Sequence, residues 1–411
     1  MGIVESTQRA AGTAIRYGTY LTLSGAASVV LLIYMVVPAH LLGRSEFGLF
    51  SSLFSLVVFL GAVFTAAQTY VAGIIASQQH SAAADLRPLV SRIVLWCAVL
   101  AVGWTFSAPL VAHWLRASIL SVAIVGVIAV ATLAWAALLG VLQGGGRFVA
   151  LGAVNLAQAA LRMAALVLTI GTGDINLVLG ATAVSMVPAI VLVAVVVRLG
   201  SPRQSGQGAS RPSVALGSIL PMLIVGLVVG FPGVGDLIII RAVHDAETAG
   251  DFAVVALVGR VLIFLAIVVN TVLFPLFVSE RDSLRGTRTL LVATGVVSVI
   301  LAVPLGLILL QPATIVSLAA LPSTAAAKLL PAYAVASYLF AVGSLGCYFQ
   351  LARGNRTYLF GALLPFIGLL MGFCAFVTEL AQLMLCLSGA ALLLVVINIV
   401  VPVRAAHERC H

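Results

Sequence analysis

Charge is what this sequence has least of. Only 8% of its 411 residues are charged, 12 acids against 21 bases, while 62% are hydrophobic. Mean hydropathy is +1.22. Soluble domains carry about 25% charged residues, so this chain cannot cover a water-facing surface and must be solvated by lipid. It also lacks segments of about ten residues with alternating polarity, which excludes a transmembrane barrel. The five cysteines (Cys97, Cys347, Cys374, Cys386 and Cys410) include no CxxC pair, so neither a metal site nor a disulfide framework is expected. No cofactor is expected either. Basic residues nowhere cluster, so the net charge of +9 does not point to nucleic acid. A cleavable leader is missing too: "MGIVESTQRAAGTAIRYGTY" runs into a full-length apolar segment with no small-residue cleavage site. The first helix is therefore expected to stay in the mature protein.

Long apolar runs are what the chain has in abundance. Stretches of about 20 apolar residues suit membrane-spanning helices. They recur at 17–40, 49–74, 91–112, 119–142, 149–171 and 175–198, then at 214–240, 252–277, 289–311, 330–352, 358–378 and 383–403. Twelve spans joined by short loops leave no room for a soluble domain. With both termini cytoplasmic, fifteen arginines fall on inside segments. The outside loops then hold only Arg44, Arg116, Arg241 and Lys328, a strong positive-inside asymmetry. The fold class read from this map is an all-α polytopic membrane protein of about twelve helices.

Between spans six and seven lies "RLGSPRQSGQGASRPS", the most polar Gly/Ser/Pro-rich stretch in the chain. It reads as a flexible cytoplasmic linker, 199–213, between an N-terminal six-helix lobe, 1–198, and a C-terminal lobe with a short tail, 214–411. Six is even, so both lobes enter the membrane from the same side, as parallel repeats related by a pseudo-two-fold axis do. "LLIYMVVPAHLLGRSEFG" (Leu31–Gly48) aligns with "DLIIIRAVHDAETAGDFA" (Asp236–Ala253) at an offset of 205. That register pairs Glu46 with Asp251 and Phe47 with Phe252. "LQGGGRF" and "FQLARGNR" match at a similar offset.

Three passages carry a family resemblance. "LGRSEFGLFSSLFSLVVFLGAVFTAAQTYV" (Leu42–Val71) resembles the first loop and second helix of the polysaccharide transporter family, the O-antigen-type flippases of the multidrug/oligosaccharidyl-lipid/polysaccharide (MOP) superfamily. "GVLQGGGRFVALGAVNLAQAALRMAALVL" (Gly140–Leu168) is similar to that family's fourth-to-fifth helix passage. "GDLIIIRAVHDAETAGDFAVVALVGRVLIFLAIVVNTVLFPLFVSE" (Gly235–Glu280) resembles its seventh and eighth helices. The matches cover about half the chain. The resemblance implies export of a lipid-linked glycan, carried on polyprenyl pyrophosphate, from the inner to the outer leaflet of a bacterial plasma membrane. Membrane lipids, and with them polysaccharide polymerase and glycosyltransferases, are the partners it implies.

Ionisable groups inside spans cost about 2.5–3.5 kcal/mol each on insertion scales and default to functional candidates. Asn155, Gln158 and Arg162 are spaced by three and four residues on span five, so they share one face. They line a wet cavity or form an interhelical hydrogen-bond cluster. Arg260 and Asn270 lie close to one face of span eight. Arg260 suits phosphate oxygens, or else an ion pair with Asp236 that makes both charges tolerable. Asp236 follows "GLVVGFPGVG", in which Pro232 and its neighbouring glycines weaken the helix. It is a candidate for coupling or gating beside a bend, or a snorkelling group near Arg241. No catalytic constellation is present. The longest outer loop, about 312–329, has no acid and a single Lys328. Two rival functions remain: a drug or cation antiporter of the same superfamily, which would want acids in its cavity, and a non-transport scaffold for envelope assembly, which would need neither Arg162 nor Arg260.

Overall fold

The computed structural model describes residues 2–78, 87–199, 219–232, 234–279, 284–354, 356–376 and 380–403. Residues 200–213 of the expected linker lie outside these. The helices of the first half are α1 (Gly2–Leu41), α2 (Arg44–Gln78), α3 (Arg87–Leu115), α4 (Ile119–Gly144), α5 (Phe148–Thr169) and α6 (Ile175–Leu199). Those of the second half are α7 (Ile219–Gly230), α8 (Gly235–Val243), α9 (Ala246–Ser279), α10 (Leu284–Leu310), α11 (Pro312–Ala319), α12 (Thr324–Arg353), α13 (Arg356–Phe376) and α14 (Leu380–Val395). A π-turn, Val396–Val400, continues α14.

Lipid cannot hydrogen-bond to a backbone, so each span closes its own N–H and C=O groups as a helix. Among the described residues, 10 helices are long and apolar enough to cross a membrane. The bent pair α7–α8 supplies an eleventh, and α13 contains the shorter apolar stretch Gly361–Phe373. Each of the twelve expected spans thus coincides with a helix or with the bent pair. Span seven is broken at the weak point read around Pro232, its two pieces meeting at 56°. Two details differ from the reading of the sequence. The outer loop expected at 312–329 contains α11, with Pro312 in its first turn, where a missing N–H costs nothing. Helix α9 begins six residues before the expected 252, because the Asp245 carboxylate accepts from the Thr248 amide at 3.2 Å and caps the new first turn.

The chain divides into two compact units. One comprises Met1–Tyr34, Phe64–His113 and Ala117–Ile219; the other comprises Met35–Val63, Trp114–Arg116 and Leu220–His411. The first unit is centred on α4, α5 and α6, whose core holds Trp135, Leu139, Leu151, Met186 and Val193. The second half of α2 packs closely on α4 within it. A Cβ at Gly144 would meet the Ala72 carbonyl oxygen and lie 2.8 Å from Ile75 Cβ, so small residues set this approach. Gln68 donates to Gln143 at 2.8 Å across the same pair.

In the second unit α12 packs against both α9 and α14. Edge-to-face rings lock α9 to α12: Phe252 on Tyr333 at 5.5 Å, and Phe277 on Phe349 at 5.4 Å. Ser323 caps the start of α12 by accepting from the Ala326 amide at 3.1 Å. Gly354, at φ 67°, ends it by bonding back to the Gln350 and Leu351 carbonyls.

Candidate functional site

Buried polarity concentrates in two clusters, one in each unit. In the first, Arg162 on α5 is 8% exposed. Its guanidinium reaches the Met186 sulfur at 3.6 Å and lies 6.0 Å from the centroid of the Tyr34 ring. Gln158, one turn earlier, donates to the same sulfur at 3.4 Å. The i, i+4 spacing therefore brings Gln158 and Arg162 onto one acceptor. Asn155 is half-buried on that face. Helices α3 to α6 contain no acid; the arginine charge meets the polarisable Met186 sulfur on α6 and the π-electrons of Tyr34 on α1.

The second cluster surrounds Arg260 on α9, which is 2% exposed. Arg260 donates to the Ser55 hydroxyl on α2, and both Tyr333 and Asp236 lie within electrostatic reach of it. Tyr333 donates to the Asp236 carboxylate at 2.5 Å. Asp236 is completely enclosed. That places it inside the packing of the unit, away from the snorkelling position considered from its nearness to the outer loop. The break in span seven explains how a carboxylate survives there. Asp236 stands in the first turn of α8, where backbone N–H groups have no intrahelical acceptor and the helix end is positive. The Leu237 amide donates to it at 2.7 Å.

Pro232 is buried in the break itself. Beside it, Phe231 makes edge-to-face contacts with Phe59, Phe366 and Phe373. A Cβ at Gly235 would lie 2.9 Å from Phe231 Cζ, so the ring folds back over a position that only glycine leaves open. Asn270, further along α9 and fully buried, donates to Ser344 at 2.7 Å.

One device recurs in these clusters. Ser55 gives its own hydrogen to the Ser51 carbonyl at 2.6 Å, Thr182 to Val178 at 2.9 Å, and Ser344 to Ala341 at 2.7 Å. A hydroxyl that back-bonds along its helix keeps its oxygen free to accept. Ser55 receives Arg260, Thr182 receives the Tyr34 hydroxyl at 2.8 Å, and Ser344 receives Asn270. Sequence reasoning missed these acceptors, and missed Tyr34, Tyr333 and Met186, because a Ser, Thr, Tyr or Met in an apolar helix carries no mark of what it faces. Ser55 alone had a signal: it stands 205 residues before Arg260, the offset at which the two halves align.

No family model and no curated protein sequence matches this chain. Solved structures match it over nearly its whole length. An inward-facing multidrug resistance MATE family transporter of the MOP superfamily superposes with a TM-score of 0.70 at 14% identity, covering 96% of this chain and 99% of that one. The lipid II flippase MurJ, in an inward closed conformation, gives 0.69 at 12% identity over 95% and 87%. The eukaryotic MATE transporter AtDTX14 gives 0.65 at 12% over the full length of both. The fold is that of the MOP transporters. It agrees with the superfamily resemblance read from the three sequence passages and with the all-α architecture of about twelve helices. Arg162 and Arg260, the two arginines that the sequence places within spans, are both buried.

Proposed function

We propose that the protein is a membrane transporter that flips a polyprenyl-pyrophosphate-linked oligosaccharide from the inner to the outer leaflet of a bacterial plasma membrane. The observation that carries this reading is a pair of arginines, Arg162 and Arg260, each more than nine-tenths enclosed in a membrane-length helix. A pyrophosphate cannot cross hydrocarbon unaided, and a guanidinium offers it permanent charge and a fork of donors. The sign of the charge decides between anionic and cationic cargo. Two like charges about 6 Å apart at an effective dielectric of about 20 repel by about 3 kcal/mol. A cation brought beside either arginine would thus bind about a hundredfold more weakly, and an anion correspondingly more tightly.

In this mechanism Arg162 in the first unit and Arg260 in the second are each a binding group for pyrophosphate, and Gln158, Asn155 and Asn270 offer hydrogen bonds to sugars within their own units. Asp236 and Pro232, at the break of span seven, couple or gate the movement. The halves 1–198 and 214–411 rock about the linker 199–213, and both termini face the cytoplasm. Polysaccharide polymerase and glycosyltransferases would act on the exported product and supply it. A second reading, an ion-coupled drug or cation antiporter, is favoured by one observation: a fully buried carboxylate, Asp236, of the kind a cation carrier needs.

The deciding experiment measures lipid-linked oligosaccharides, and the membrane face they occupy, in a deletion strain complemented with wild type, Arg162→Gln or Arg260→Gln. Accumulation on the cytoplasmic face, relieved by wild type and not by well-expressed variants, is the expected result. Unchanged intermediates together with altered sensitivity to cationic drugs would overturn the flippase in favour of the antiporter. Rescue by both variants as full as by wild type would remove the arginine site, and a deletion strain with a wild-type distribution and unchanged drug sensitivity would leave a scaffold.

A further inference from the structure

The second compact unit contains a segment that is foreign to it by sequence. Met35–Val63, the end of α1 and the start of α2, groups with helices from the second half of the chain, while the remainder of α1 and α2 groups with the first half. Two kinds of contact seat it there. The first is backbone against backbone. A Cβ at Gly48 would lie 2.9 Å from the Gly250 amide nitrogen and 3.3 Å from the Ala249 carbonyl carbon, and one at Gly250 would meet the Arg44 carbonyl. Only glycine on both helices permits so close a crossing. The second is Arg44, which opens α2. Its guanidinium donates to the Pro322 carbonyl at 2.7 Å and lies 3.8 Å from the Asp251 carboxylate and 4.0 Å from that of Glu247.

We propose that Arg44, with Asp251, Glu247 and the Pro322 carbonyl, is a releasable latch that holds the α1–α2 turn down on α9 and on the approach to α12, and that its release admits the outer side of the membrane to the Arg260 cluster. This rests on the transport reading above. The latch is built to open. Its ion pairs are long and partly solvated, the class whose coupling is small, and the glycine crossing beneath it offers no side chain to interlock. Both contacts lie at one end of α2 and α9. The Arg260–Ser55 contact lies seven to ten residues further along the same pair of helices, about 10–15 Å deeper at 1.5 Å per residue. Peeling Met35–Val63 away from α9 would therefore uncover first Ala249 and then Arg260, both enclosed in the closed form.

The test uses the full-length protein in sealed membrane vesicles. Ala249→Cys places a thiol under the latch, and its labelling by a membrane-impermeant maleimide, added on the side of the α1–α2 turn, is compared with the parent lacking that cysteine. Adding Arg44→Ala or Asp251→Ala is expected to raise the labelling rate about fivefold. Arg44→Lys, which keeps the charge, should raise it less, and the exchange Arg44→Asp with Asp251→Arg should bring it back towards the starting rate. A starting rate unchanged by either alanine variant would overturn the latch, as would an exchange no slower than the single variants. If Ala249→Cys disturbs the crossing, Ala253→Cys, also fully enclosed, serves in its place. The labelling needs no substrate, so a failed flippase assay with a responsive thiol refutes the cargo and leaves the latch standing. A working flippase with an unresponsive thiol does the reverse.

Discussion

The packing of α9 on α12 can be tested at one atom. Gly259, next to Arg260, faces the Tyr333 ring. An added Cβ would lie 2.6 Å from Tyr333 Cδ1 and 2.7 Å from Ser337 Oγ, far inside ordinary contact. The ring cannot swing aside easily, because Phe252 packs on it edge-to-face and its hydroxyl stands on Asp236. Gly259→Ala should therefore either overpack the interface, at about 1–3 kcal/mol, or push the hydroxyl off the buried carboxylate, whose charged hydrogen bond is worth about 1.5–3 kcal/mol. Alanine's better helix propensity returns about 1 kcal/mol. A net loss of about 0.5–2 kcal/mol is expected in reversible detergent unfolding of the purified protein.

Gly295→Ala on α10 is the matched control, since nothing lies within 4 Å of its Cβ position; it should be neutral or slightly stabilising. Tyr333→Ala alone should cost about 3–5 kcal/mol. Adding Gly259→Ala to it should cost almost nothing more, because the clashing ring is gone. If Gly259→Ala proves as harmless as Gly295→Ala, or if the two substitutions simply add, the described packing around Asp236 is wrong.

Other outcomes follow from the same geometry. Gly144→Ala in the first unit would drive a methyl into the Ala72 carbonyl. Backbone cannot rotate away as a side chain does, so a loss of about 1–3 kcal/mol is expected in the same unfolding assay. Ser344→Ala would strand the Asn270 amide inside the membrane, at about 1–3 kcal/mol, and Asn270→Ala in addition should restore part of it. At the start of α9, hydrogen bonds from Thr248 hold the fully exposed Asp245 carboxyl below its ordinary range. A depressed folded value means that the cap is fully present above about pH 4 and is lost as the pH falls through that lower value. Asp245→Asn should flatten the acid limb of stability, measured by amide exchange at Thr248.

Much of the architecture is written in composition alone. Apolar runs long enough for a bilayer admit no structure but helices, so the twelve spans could be placed without tertiary information. The pattern of polar residues on α5 likewise put Gln158 and Arg162 on one face, where the Met186 sulfur receives both. Long-range partners were beyond such reasoning. In lipid no water-facing stripe distinguishes an inward side from an outward one, and Tyr34, Ser55 and Tyr333 look like any other residues of an apolar helix until packing brings them to Thr182, Arg260 and Asp236. The carboxylate in span seven shows the division most clearly. Pro232 and its glycines announce a weak helix. Only the folded chain shows that the break leaves Asp236 completely enclosed, with an amide and a tyrosine hydroxyl to receive it. A residue's cost in the membrane is local and can be read along the chain, whereas the groups that meet that cost come from elsewhere in the fold.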